Sequence, residues 1–154
     1  MPNRWLLKTE PSCYSLAELK REKRAVWDGV KNAVALKHLR AMARGDLCLI
    51  YHTGDEKAVV GVARAVGPAY PDPNQADPKM AVVELAFVSE LRRPVTLAEI
   101  KADPDLADWD LVRLSRLSVM PVSSAQWQRV AELAVGAVDP KLKSRKPGAS
   151  SPRS

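Results

Sequence analysis

The chain has 154 residues but only two cysteines, two histidines and one phenylalanine, and it has no long uncharged apolar run. Each shortage removes a class of protein. Cys13 and Cys48 cannot build a disulfide framework, and with His38 and His52 they show no metal-ligand spacing. Neither a structural metal nor a bound cofactor is therefore expected, and each cysteine reads as a small buried hydrophobe. A membrane helix needs roughly 18 consecutive apolar residues, and no stretch approaches that length. The opening residues, Met1 to Glu10, lack the apolar stretch and small-residue cleavage site of a signal peptide. The expected setting is the cytoplasm, with no membrane partner. A G-x-G-x-x-G turn after a strand and a Walker-type phosphate loop are both missing, which excludes dinucleotide-binding and P-loop designs.

What is present fits one packed domain. Apolar residues make up 46% of the chain, enough for a core at this length. The net charge of +6 is unevenly spread. Residues 1–44 carry 10 basic and 4 acidic side chains, residues 45–140 carry 9 and 14, and residues 141–154 carry 5 and none. The first 140 residues thus hold +1, and the remaining +5 sits in the last fourteen. Such polarity hints at an anionic partner.

Local patterns give the elements. Residues 4–9 read as a strand with Trp5 and Leu7 on one face and Leu6 on the other, ended by Glu10-Pro11. Ser15 and Glu18 have capping-box spacing and open a helix over residues 16–22. Residues 25–27 are briefly extended, and Asp28-Gly29 breaks them. Asn32 suits an N-cap, with Leu36, Leu39 and Ala43 at helical spacing until Gly45. Residues 47–51 form a continuous apolar strand, turned at residues 53–56 and returning over 58–63. Four prolines between Pro68 and Pro78 mark an irregular loop. Residues 82–91 alternate as a strand, with Val83, Leu85 and Phe87 set against Glu84. Thr96 and Glu99 form a second capping box, whose helix ends at Asp103-Pro104. Residues 117–122 suit a strand that closes the sheet. Ser123 and Gln126 form a third box before a helix striped by Trp127, Val130 and Leu133. The sum is an α+β domain over residues 1–140, a curled, mostly antiparallel sheet or small barrel with short peripheral helices. Residues 141–154, rich in Lys, Ser, Arg and Pro, are expected to be a basic disordered tail.

Three segments hold polar and aromatic residues that packing alone does not explain. They are Lys8-Thr9-Glu10-Pro11 with Tyr14-Ser15, Trp27-Asp28-Gly29-Val30-Lys31-Asn32, and Arg113 to Val119. With Tyr51-His52 and Tyr70-Pro71-Asp72, the runs from Trp5 to Pro11, Trp27 to Asn32 and Ser115 to Val119 stand in the order found in EVE-domain proteins. The chain resembles that family from about Trp5 to Leu133. The resemblance implies a PUA-like small β-barrel related to YTH domains, which read methylated adenine in RNA through an aromatic cage. It implies in turn a pocket for a modified or flipped base in DNA or RNA, and a binding module rather than an enzyme.

The residues themselves suit that role. A base stacks on an aromatic ring for roughly 1–3 kcal/mol, and Trp27 beside a bend can present its ring. Asp28 and Asn32 supply an acceptor and a donor–acceptor pair for the base edge. Thr9 and Ser118 add hydroxyls. Lys8, Arg113 and Arg116 suit phosphate, with Tyr51 and His52 at the rim, although Lys8 and Asp28 can equally pair with each other. Simpler readings stand beside these. Trp5 and Trp127 suit the core, Trp109 a surface or lid, His52 a satisfied strand position, and residues 20–24 a solvated helix end. The sequence departs from the family pattern at Ala33 and Leu36-Lys37, where an aromatic residue and an Arg-Asn pair are usual. A different class is also open. PUA-like ASCH domains include amidohydrolases that use a lysine, a threonine and a glutamate, and Lys8, Thr9 and Glu10 have those types. Threonine needs an activating base within reach, however, and adjacent strand residues point to opposite faces.

Overall fold

In the computed structural model, which describes residues 3–135, strand β1 (Arg4–Thr9) is buried along its centre. Trp5, Leu6 and Leu7 are all inaccessible, so both faces of this strand are covered. The helix α1 (Leu16–Glu22) starts at the expected capping box. The Ser15 hydroxyl accepts from Glu18 N–H, and the Glu18 carboxylate accepts from Ser15 N–H. Strand β2 (Arg24–Trp27) then leads to α2 (Ala33–Arg40), capped by the Asn32 side chain.

Strands β3 (Leu47–His52) and β4 (Ala58–Ala65) form the expected hairpin. Within the proline-rich loop, Tyr70–Pro71 makes a two-residue strand, β5, against the next one. The loop expected there is thus partly ordered as sheet edge, a place where a proline lacking N–H is tolerated. Strand β6 (Ala81–Thr96) runs five residues past its expected end at Leu91. Its second half pairs Val95 with Val59 and Thr96 with Ala58, so tertiary pairing extends a segment whose local pattern had faded. Helix α3 (Leu97–Ala102) follows with its Thr96–Glu99 box intact. The one-turn helix α4 (Asp110–Arg113) has no side-chain cap, which explains why nothing in the sequence announced it. Strand β7 (Val119–Pro121) and helix α5 (Ser124–Ala134) complete the described chain, the latter behind the third capping box.

The strands lie in the order β2-β6-β4-β3-β1-β7, with β5 beside β6. All pairs are antiparallel except β1 and β3, whose parallel crossover carries α1, β2 and α2. The sheet curls but does not close, because β2 and β7 remain its two ends. Gly61 lets α1 settle onto it. A Cβ there would lie 2.4 Å from a Leu16 methyl and 2.8 Å from the Ser89 carbonyl oxygen.

One tryptophan sits differently from expectation, and another packs against the core as expected. Trp109 is only 2% exposed and donates its indole N–H to the Pro121 carbonyl, so it belongs to the core rather than to a surface or lid. Trp127 is half-buried, with the Arg4 guanidinium 5.5 Å above its ring. Cys48 is buried as expected, whereas Cys13, expected to be buried too, is exposed in the turn that follows β1. No helix among the described residues is long and apolar enough to cross a membrane. The expected tail and the boundary at residue 140 lie outside the described residues.

Candidate nucleic-acid interface

Parallel pairing of β1 with β3 brings two of the singled-out segments to one end of the sheet. Lys8 stands opposite Tyr51, and Thr9 opposite His52. The Lys8 ammonium lies 5.7 Å from the centre of the Tyr51 ring and donates to the Ser115 carbonyl at 2.8 Å. Its backbone N–H donates to the Ser118 carbonyl at 2.9 Å. A third segment, residues 113–118, is thereby tied to the end of β1. Burial pulls the Lys8 pKa down and pushes the Tyr51 pKa up, as expected where water is partly excluded.

Thr9 points the other way. Its hydroxyl donates to the Tyr14 carbonyl at 2.7 Å. The Tyr14 ring stands edge-on to Trp27, with centroids 6.1 Å apart and planes at 86°. Tyr14 also donates its hydroxyl to Glu22 at 2.6 Å. Burial first, and the Glu22 carboxylate second, drive the Tyr14 pKa far upward. Trp27 is therefore joined to Thr9 through Tyr14, and at 7% exposure it is a wall packed into the core more than an open platform. Immediately beyond it, Asp28 is exposed and Gly29 takes a φ of +77°, a left-handed bend that glycine adopts without strain.

Other expected residues are differently placed. Asn32 uses its side-chain oxygen as the cap of α2, accepting from Val34 and Ala35 N–H. Its donor group is the part left for a ligand. His52 is buried with both ring nitrogens engaged. Nε2 accepts from Leu16 N–H at 3.0 Å, which places the proton on Nδ1, 2.7 Å from Glu56. Lys8 turns to Ser115 and not to Asp28. Arg113 pairs with Asp110 at 2.9 Å, and Arg116 is exposed. Ser118 is half-buried. Lys20 and Arg24 pair with Glu90 and Glu84, as a solvated helix end would. The Lys8, Thr9 and Glu10 side chains reach Ser115, Tyr14 and Thr53 respectively, so the hydrolase triplet does not converge.

Sequence reasoning missed Tyr14 as the residue bridging Thr9 and Trp27. Its signal was present, since an aromatic residue just before a capping serine commonly packs back on its helix. A concavity of about 280 Å³ lies elsewhere, between Trp109, Asp108, Asp110, Val122 and Gln126. It contains none of the expected site residues, and its lining includes two carboxylates, of which Asp110 pairs with Arg113. Among the described residues, no group of three or more His, Cys, Asp and Glu side chains could hold a metal ion.

This curled α+β sheet with peripheral helices is of the PUA-like class. An ASCH structure from Zymomonas mobilis shares the fold at 12% identity and a TM-score of 0.55, covering 85% of this chain and 95% of that one. More specifically, the EVE domain family model matches residues 3–133, and the chain belongs to the EVE domain family. The protein Rpa0253 from Rhodopseudomonas palustris is 40% identical, with a TM-score of 0.82 over 89% of this chain and 95% of that one. The human THYN1 protein, solved in complex with DNA containing 5-methylcytosine, is 28% identical. Its TM-score is 0.79 over 86% of this chain and 97% of the other.

Proposed function

We propose that this EVE domain binds DNA and recognises a modified or flipped base at the end of β1 and β3, without catalysing a reaction. One observation carries the reading. Three segments separated by up to about a hundred residues bring Lys8, Thr9, Tyr51 and Ser118 to one end of the sheet, with Trp27 joined through Tyr14. The likeness to the human THYN1 protein, solved with DNA containing 5-methylcytosine, supports the same polymer and kind of base here. RNA carrying such a base is the other arm of the same assay.

The roles follow from the chemistry of each group. Half-buried Tyr14, backed by the buried Trp27, supplies the aromatic wall for a base. Exposed Asp28 and the free amide group of Asn32 address the base edge, while Thr9 holds Tyr14 in place and the half-buried Ser118 supplies a hydroxyl at the sheet end. Lys8 and Arg116 face phosphate, and Arg113 joins them when it exchanges Asp110 for the backbone. Tyr51 backs Lys8, and His52 holds the start of α1.

Fluorescence anisotropy with modified and unmodified oligonucleotides tests the reading. Asp28→Ala changes an exposed residue, so folding should be unaffected while discrimination falls by about tenfold, as for one lost bidentate contact. Trp27→Phe keeps most of the core volume and should retain binding at reduced strength. Unchanged discrimination in both variants overturns the assignment.

A further inference from the structure

Leu114 is a large apolar side chain left in water, 46% exposed, at a place where the fold takes trouble to hold it. It is the C-cap of α4, with its N–H donating to the Asp110 carbonyl at 2.7 Å. Its own carbonyl accepts from Leu117 N–H at 3.0 Å, closing a turn. The next residue, Ser115, is pinned to β1 by the Lys8 ammonium, and Ser118 by the Lys8 backbone N–H. Leu114 is thus a fixed projection beside the candidate interface, not the tip of a free loop. Two exposed arginines, Arg113 and Arg116, flank it.

A single exposed leucine is ordinary. An exposed leucine between Arg116 and Arg113, the latter shared with Asp110 until a phosphate replaces it, and anchored to the residue that leads into a base-binding site, has a specific chemical fit. When a base leaves a duplex, its neighbours lose a stacking partner on each side. An apolar side chain that enters the gap restores contact with both faces, while cations on either side meet the adjacent phosphates. We propose that Leu114 is a wedge for double-stranded DNA, entering the stack at the position of the extruded base, with Arg113 and Arg116 on the flanking backbone. Resting on the reading above, it adds that the preferred partner is duplex and not single strand. A single strand has no stack to enter and gains nothing from Leu114.

The full chain and Leu114→Ala are compared on three probes. These are a short duplex with one 5-methylcytosine, the same strand alone, and the duplex with an abasic site opposite the modified base. 2-Aminopurine beside the modified base reports unstacking. The wedge predicts that Leu114→Ala weakens duplex binding by about tenfold or more, the scale set by leaving a gap in the stack. Single-strand binding should change little, the abasic duplex should recover most of the loss, and the 2-aminopurine signal should fall. Leu114→Met, similar in size and apolar character, should restore duplex binding, and thermal melting should match wild type for both variants. Equal losses on duplex and single strand would reduce Leu114 to a general contact and overturn the proposal. So would unchanged binding to all three probes by Leu114→Ala, where the wild-type chain prefers the modified base. If wild type shows no preference for 5-methylcytosine or any other modified base, the base-reading function itself falls, a result distinct from failure of the wedge.

Discussion

Single side chains divide here into those that hold the fold and those left over for a ligand. Asp46 belongs to the first group. It is 1% exposed and accepts from Asn3 N–H, Trp5 Nε1–H and Ala43 N–H, all within 3.0 Å. Asp46→Ala strands the buried Trp5 indole donor and two part-buried backbone donors, and should lower unfolding free energy by about 2–3 kcal/mol, measured by urea denaturation. His52 is similar, since both its nitrogens are spent within the domain. The two thiols give a second check at this scale. Cys13 is exposed, while burial drives the Cys48 thiol far above its ordinary pKa. In the native chain one thiol should react quickly with a disulfide reagent, and the second only after denaturation. Cys13→Ser should abolish the fast phase, and two fast thiols would contradict the packing around Cys48. Trp27 shows where residue type alone misleads. Its position before Asp28-Gly29 suggested an open ring, yet Tyr14 and the core cover nearly all of it. Sequence spacing reports where a backbone bends, and not which neighbour folds back over the bend.

At the scale of elements, local signals were strong wherever a cap or an apolar period defined an end. All three capping boxes form, and the Asn32 cap holds α2, because each side-chain acceptor lies within three residues of its donor. Pieces whose existence depends on distant partners were not legible. The second half of β6 exists because β4 lies beside it, β5 because β6 does, and α4 has no cap at all. Two predictions belong here. Gly61→Ala drives a methyl into Leu16 and the backbone oxygen of Ser89, so it should destabilise by about 1–3 kcal/mol in thermal or urea unfolding. The Arg93 guanidinium, with help from Thr96, holds the Glu99 carboxyl below its ordinary 4.5. A lowered folded pKa means the unfolded chain binds the proton more readily, so stability rises with pH across this window. The contribution should be complete above pH 4.5 and fade as pH falls through the lowered value. Glu99→Gln should flatten that acid limb, and an unaltered limb would show that the pair adds nothing.

For the whole molecule, the sheet order explains how the candidate site is assembled. The parallel β1–β3 pair sits between an edge at β7 and the hairpin with β4, so segments from the start, middle and end of the chain finish side by side. The order of motifs was visible in the sequence, and so was the family. Their convergence required topology, since nothing local to Lys8 announces Ser115. Charge plays a separate part at this scale. Residues 1–140 hold only +1 of the net +6, with +5 in residues 141–154. Deleting those fourteen residues should weaken binding to modified and unmodified DNA alike. It should also lower the salt slope by up to about 4, because released counterions track neutralised phosphates and not base identity. Loss of base preference on truncation would mean that the charged segment, and not the sheet end, does the reading.

The most direct test of base recognition is a competition titration of the full chain at fixed salt. Duplexes in the panel are identical except for one base, carried unmodified or with each of several modifications. The account predicts that at least one modification competes about tenfold more strongly than its unmodified parent, a difference of roughly 1.4 kcal/mol, and that Asp28→Ala narrows the gap. Equal competition by every duplex, with salt-dependent binding intact, would contradict it and leave a domain that holds DNA by charge alone.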